Sequence, residues 1–167
     1  MKAILLAAGL GTRLRPLTDN IPKCLVPIAD KPLLGWWLEQ LQQAGFSEFI
    51  VNTHYMHKQV EEYIAQSDYA EQVTLVYEDN LLGTLGSIRN MQYLIGDDDC
   101  MIAHADNLCV VDWAAFIQRF NQRPAGCELT MMCFQTDTPV SCGMVRVDQY
   151  DVVCAYKEKP QDPWPSA

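Results

Sequence analysis

The chain alternates between short apolar runs and stretches of helical spacing. Residues 2–8 form an apolar run closed by glycine, the pattern of a buried strand. Over residues 32–44 the spacing becomes helical. Leu34, Leu38, Leu41 and Ala44 share a face, Pro32 suits the first turn, and Gly45 supplies the stop. Residues 49–53 predict a second strand, 57–66 a helix with Val60, Tyr63 and Ile64 on one side, and 73–77 a third strand. Residues 84–95 predict a helix, with Ile88, Met91, Gln92 and Ile95 at the right spacing. A fourth strand over 101–105 ends at Asp106, and a helix follows over 113–122. A fifth strand is predicted over 129–134. Two more, over 144–147 and 152–156, are joined by the turn-like Asp148-Gln149-Tyr150-Asp151.

Strands alternating with helices predict an α/β fold. The expected architecture is a Rossmann-like three-layer α/β/α arrangement with a mostly parallel central sheet and an appended β-hairpin. One domain is expected over residues 1–167. The Pro160, Asp162, Pro163 and Pro165 stretch reads as an irregular loop with no closing element after it, either a tail or the edge of a longer chain.

Composition narrows the function classes. Apolar residues make up 49% of the chain and charged residues 20%, enough apolar area to exclude disorder as the main state. The longest unbroken apolar run, residues 3–10, falls far short of the roughly 20 residues of a membrane span. Arg13 and Arg15 stand where a secretory leader would have its small-residue cleavage site. The net charge of −9 argues against duplex nucleic acid as a partner. Residues 1–31 nevertheless hold five basic and two acidic residues, a cationic island suited to a compact anion. The seven cysteines form no C-x-x-C pair, and several sit inside apolar runs, which fits a reducing, cytoplasmic setting.

Residues 6–18 read L-A-A-G-L-G-T-R-L-R-P-L-T. A glycine turn leaving a buried strand lets backbone N–H groups approach phosphate oxygens closely. A P-loop is excluded because no Lys follows Gly11. A dinucleotide fingerprint has Gly9 and Gly11 but meets Leu14 where the third glycine belongs. Arg13 and Arg15 add positive charge that suits a triphosphate.

The stretch G-x-G-T-R-L-R-P-L-T, followed by P-K-C-L-V-P-I and K-P-L, resembles the signature of the sugar-1-phosphate nucleotidyltransferases. Further along, L-G-T-L-G at 82–86, H-A-D at 104–106, S-C-G-M-V at 141–145 and K-E-K-P at 157–160 are similar to successive segments of that family. The resemblance runs from end to end. It implies a chain incomplete at the C-terminal end, because family members continue past E-K-P with more strands and a second metal-binding aspartate.

The implied reaction is attack by a sugar-1-phosphate oxygen on the α-phosphorus of a nucleoside triphosphate. The implied partners are those two small molecules, with no nucleic acid and no membrane, and the implied cofactor is Mg²⁺. By the resemblance, Gly9, Gly11 and Thr12 contact the triphosphate, Arg13 grips phosphate oxygens, and Lys23 sits near the α-phosphate. Glu78 borders the base, as do Gly83 and Thr84 of the L-G-T segment. Asp106 holds Mg²⁺, Lys159 the sugar phosphate and Glu158 a sugar hydroxyl, while Gly143 leaves room for the sugar ring. The base and sugar stay open. Overall resemblance leans toward guanylyl transfer onto a mannose- or heptose-type 1-phosphate, with thymidylyl or uridylyl transfer as alternatives. A non-catalytic nucleotide- or sugar-sensing module is the other class.

Three other features read as structural. His54 and His57 lack a third ligand for zinc. Asp97, Asp98 and Asp99 are adjacent and point apart, as in a solvated turn. Trp36 and Trp37 read as helix packing.

Overall fold

In the computed structural model, β1 (Lys2–Leu6) lies at the centre of the sheet and is buried from Ala3 onward. Residues 1–162 and 164 are described. They divide into two compact units, Met1–Trp113 and Ala114–Ala167. Pro163 and Pro165 of the terminal loop lie outside the described residues.

In the first unit a two-residue antiparallel pair, β2 (Pro27–Ile28) and β3 (Lys31–Pro32), leads into α1 (Leu33–Gln43). Then follow β4 (Glu48–Thr53), α2 (His57–Ala65), β5 (Val73–Tyr77), α3 (Gly83–Asn90), α4 (Gln92–Ile95) and β6 (Cys100–His104). The strands form a fully parallel sheet in the order β5-β4-β1-β6. From β1 the chain steps outward to β4 and β5. It then returns past β1 to β6. Right-handed crossovers therefore put α1 and α2 on one face and α3 and α4 on the other.

Strand alternation matches this arrangement. Ile4 and Leu6 of β1, with Ile50 of β4, pack against Met91 and Ile95 on the α3–α4 side. The alternate residues Ala3, Leu5, Phe49 and Val51 are also buried, as a sheet covered on both faces requires. The apolar stripe of α1 (Leu34, Leu38 and Leu41) is fully buried. The helix expected over 84–95 is interrupted at buried Met91, which separates α3 from α4. Lys2 donates to the carbonyls of Leu94 and Ile95 at the end of α4 and pairs with Asp98 at 2.9 Å. That pairing holds the Asp98 carboxyl below its usual range.

α5 (Trp113–Asn121) begins on the last residue of the first unit. The second unit ends in an antiparallel hairpin of β7 (Gly143–Val147) and β8 (Val153–Glu158). One predicted element is corrected. Residues 129–134 form no strand; Leu129 is 73% and Phe134 78% exposed. Apolar, β-prone composition makes a strand only where a neighbour completes the hydrogen-bond ladder, and no described strand pairs with this run.

No helix among the described residues is long and apolar enough to cross a membrane. Leu38→Ala, which empties a fully buried site on α1, should cost about 2–5 kcal/mol of stability. Urea denaturation would show the loss as a lower midpoint at unchanged slope.

Candidate active site

The strand order reverses between β1 and β6, so their carboxyl ends open onto one crevice, the usual ligand position in parallel sheets. Leu6 is in register with His104. The Ala105 amide donates to the Leu6 carbonyl, which carries the pairing one residue past the strand. The glycine loop and Asp106 therefore leave the sheet side by side.

The loop is closed by its own side chains. Gly11 has φ +66°, and a Cβ there would sit 3.1 Å from Thr18 Cγ2 and 3.3 Å from Lys23 Cβ. Glycine meets both demands. Thr18, fully buried, donates through its hydroxyl to the Gly11 carbonyl at 2.8 Å. Thr12 and Arg13 ride on the exposed turn beyond Gly11. A Cβ on Gly9 would meet nothing within 4 Å, so the space above it is open.

Lys23 is fixed because its neighbours Pro22, Cys24, Leu25 and Val26 are buried. Its ammonium donates to Asp106 Oδ2 at 2.7 Å. Both side chains are partly exposed. The segment after Asp106 is held by Trp37, whose indole N–H donates to the Asn107 carbonyl at 2.8 Å and whose ring packs on Trp113 at 5.8 Å. Trp37 is thus a packing residue, as expected. So is Trp36, which donates to the Ile28 carbonyl and lies under the Lys31 ammonium.

The opposite wall is a buried polar network. Asn52 of β4, 2% exposed, accepts from the Ala7 amide at 2.7 Å. Its amide nitrogen donates to Glu78 Oε1 at 2.9 Å and to Ser87 Oγ at 3.1 Å. Glu78 is 3% exposed and is held through its backbone as well. Its N–H donates to the Thr53 carbonyl, and its own carbonyl accepts from His54 Nδ1 at 2.7 Å. Carbonyls only accept, so His54 Nδ1 carries the proton. Its ring is engaged in structure, and His57 lies against the Tyr77 ring. Glu78 Oε2 is buried without a hydrogen-bond partner.

A cavity of about 210 Å³ lies between these walls. Its lining includes Gly9, Glu78, Gly83, Thr84, His104 and Asp106. The volume is below the roughly 300–1,000 Å³ typical of enclosing ligand sites, so this is the floor of an open cleft. Gly83 and Thr84 open α3, which has no side-chain cap and no acidic residue in its first turn. Its first amide groups therefore remain free to donate.

Gly143, Glu158 and Lys159 belong to the second unit. Gly143 pairs with Glu158 across the hairpin, and a Cβ on it would approach the Tyr156 hydroxyl to 2.7 Å. That hydroxyl donates to Glu158 Oε2, and the bond pushes the Tyr156 phenol above its ordinary range. Lys159 Nζ lies 3.7 Å from Glu158 Oε1.

The sequence reading missed Thr18, Asn52 and Ser87. The available signal was a lone amide in the apolar run I-V-N-T and the second of two hydroxyl residues in α3.

Among the described residues, no group of three or more His, Cys, Asp or Glu side chains is placed to hold a metal. Asp106 offers one hard carboxylate on the cavity wall. That fits Mg²⁺, which takes one or two carboxylates and completes its shell with water and substrate phosphates.

A parallel sheet whose order reverses beside a glycine loop, with a lysine–aspartate pair at the strand ends, defines an α/β protein with a crevice at its topological switch point. Residues 2–167 match the nucleotidyl transferase family model, and the chain belongs to that family. It is 38% identical over 127 residues to an N-acetylmuramate alpha-1-phosphate uridylyltransferase of Neisseria meningitidis, covering 74% of this chain and 54% of the relative. It is 33% identical to a mannose-1-phosphate guanylyltransferase of Mycobacterium tuberculosis, covering 96% of this chain and 45% of the relative. The solved structure of HddC from Yersinia pseudotuberculosis complexed with GMP-PN superposes with a TM-score of 0.76 at 26% identity, covering 96% and 70% of the two chains. The chain spans about half the length of these two curated relatives.

Burial behind the loop pushes the Cys24 thiol up to about 12. Near pH 8 its thiolate fraction should be roughly a thousandfold below that of an ordinary thiol of pKa about 9. Iodoacetamide labelling followed by peptide mass mapping should show exposed Cys133 and Cys154 modified first and Cys24 last.

Proposed function

We propose that this chain carries the nucleotidyl-transfer site of an enzyme that joins a nucleoside triphosphate to a sugar 1-phosphate, giving a nucleotide-sugar and pyrophosphate. The observation that carries the reading is the Lys23–Asp106 pair at 2.7 Å, set at the switch point beside the Gly9–Gly11 loop. Both curated relatives are named for nucleotidyl transfer to a sugar 1-phosphate, which supports the same chemistry.

In this reading a sugar-phosphate oxygen attacks the α-phosphorus in line, and the α–β bridging oxygen leaves with pyrophosphate. The nucleophile is ionised at neutral pH, so no general base is required. What the site must supply is alignment and relief of repulsion between two anions. Backbone amides of Gly9, Gly11 and Thr12 receive the triphosphate, and Arg13 grips its oxygens with a forked guanidinium. Lys23 places a point charge at the α-phosphate. Asp106 would hold Mg²⁺, which supplies charge neutralisation across the phosphates when bound. Gly83 and Thr84 border the base and ribose. On the hairpin, Lys159 meets the sugar phosphate, Glu158 a sugar hydroxyl, and Gly143 the sugar ring.

For the nucleotide, guanylyl transfer onto a mannose- or heptose-type 1-phosphate is the favoured reading, in keeping with the guanylyltransferase relative. Uridylyl transfer is the second, favoured by the 38% identity to the uridylyltransferase.

Two substitutions test the site. Arg13→Ala should weaken triphosphate binding by about 1.5–3 kcal/mol, the size of a charged hydrogen bond; unchanged affinity in calorimetric titration removes Arg13 from it. Asp106→Asn should erase the Mg²⁺ dependence of triphosphate binding while the circular dichroism spectrum stays the same. If Mg²⁺ still strengthens binding as in the parent, Asp106 is not the metal ligand.

A further inference from the structure

The glycine loop and its exit lie at the surface. Over residues 9–20 only Thr18 is buried. The hydrogen bonds inside that stretch are local. The amides of Leu14, Arg15 and Asp19 donate to the carbonyls of Gly11, Thr12 and Pro16, and the Thr18 hydroxyl donates to Gly11. An exposed loop tied only to itself is free to move, and ordering its residues around a ligand costs conformational entropy.

A second segment holds this loop. The Tyr55 hydroxyl donates to the carbonyls of Thr18 and Asp19, at 3.3 and 3.4 Å, one proton shared between two acceptors. Gln59 Nε2 donates to the next carbonyl, that of Asn20, at 3.1 Å. Among the described residues, these are the hydrogen bonds that reach residues 9–20 from another part of the chain. Three successive carbonyls at the loop's exit therefore meet donors from one place, the turn from β4 into α2.

That turn is anchored in its own right. His54 Nδ1 donates to the Glu78 carbonyl at 2.7 Å, the His57 ring lies 4.4 Å from that of Tyr77, and Val60 and Ile64 of α2 are buried. Between Tyr55 and Gln59 the backbone takes a left-handed step at Met56, with φ +51°. A residue with a Cβ seldom adopts that conformation, and it persists where the surroundings fix it. The step brings Tyr55, just past the strand, and Gln59, in the first turn of α2, onto the same stretch of loop. Neither residue lines the cavity.

We propose that Tyr55 and Gln59 are positioning residues of the triphosphate site. They fix the loop's exit at residues 18–20, Thr18 fixes Gly11, and the donors of Gly11 and Arg13 are set before the phosphates arrive. Preorganisation of this kind strengthens binding by removing an ordering cost, with no added contact to the ligand. The proposal rests on the nucleotidyl-transfer reading above and adds to it a brace outside the cavity.

The test is calorimetric titration of the chain with inorganic tripolyphosphate, GTP and UTP in the presence of Mg²⁺, beside urea denaturation of the same samples. Tyr55→Phe keeps the ring and removes its donor. Gln59→Met keeps the side-chain length and removes the other donor. Each should weaken all three ligands by a common factor of about three- to tenfold, the scale of one hydrogen bond, and the double variant should weaken them further. The factor is common because the loop meets the phosphates that the three ligands share. A purely structural role gives the reverse pattern, a lower urea midpoint with the parent's affinity, and that result overturns the proposal. A loss confined to GTP or to UTP overturns it too. Gln59 sits on a partly exposed helical turn, so its variant decides the matter even if Tyr55→Phe does not fold. If the parent chain binds none of the three ligands, the nucleotidyl-transfer reading itself falls, and the brace with it.

Discussion

One buried side chain, Asn52, ties together the parts of the first unit that make the cleft. It takes the Ala7 amide where β1 becomes the glycine loop, and it gives its two N–H donors to Glu78 after β5 and Ser87 in α3. An amide with two donors and an acceptor can join three chain segments at a point no backbone ladder reaches. Without it, the Ala7 amide and the Glu78 carboxylate would both be buried polar groups lacking partners, each at a cost of about 1–3 kcal/mol. Loop exit, cavity wall and helix α3 are therefore coupled in one network, and its geometry also sets where a ligand can lie.

Much of this was legible in the sequence because it follows from periodicity and punctuation. The strands at 2–8, 49–53, 73–77 and 101–105 and the helix at 32–44 appear within a few residues of their predicted positions. Glycine at 11 was readable as a backbone requirement, and the structure supplies the reason in its positive φ and the closeness of Thr18. Asp106 was readable as a residue at a strand's carboxyl end, a position that parallel topology makes chemically useful.

What escaped falls into two physical kinds. Residues 129–134 have the composition of a strand, but pairing is a property of two segments and one segment's composition cannot supply the other. The described chain gives that run no ladder, and its apolar side chains lie exposed. The second kind is the buried polar residue whose partner lies elsewhere in the chain. Asn52 carries no motif, and Thr18 closes the G-x-G-T-R-L-R-P-L-T stretch without its role being readable there. Their roles arise from groups 45 and 7 residues away in the chain. Local pattern reports which face is buried and leaves the partner of a buried polar atom unspecified.

Charge placement links the two walls of the cleft. The chain is acidic overall, yet the two ends of the cleft differ in what they can accept. At the β1–β6 end, Lys23 neutralises Asp106 at 2.7 Å, so an arriving anion meets a balanced pair with a cationic loop beside it. At the Asn52 end, the Glu78 carboxylate meets only neutral donors, and one of its oxygens meets none. A ligand that is anionic at one end and neutral at the other suits both walls in a single orientation. Reversed, it would press phosphate against Glu78 and leave the lysine without its anion. In the proposed reaction this asymmetry puts the reacting phosphorus on the side where Lys23 and Asp106 stand.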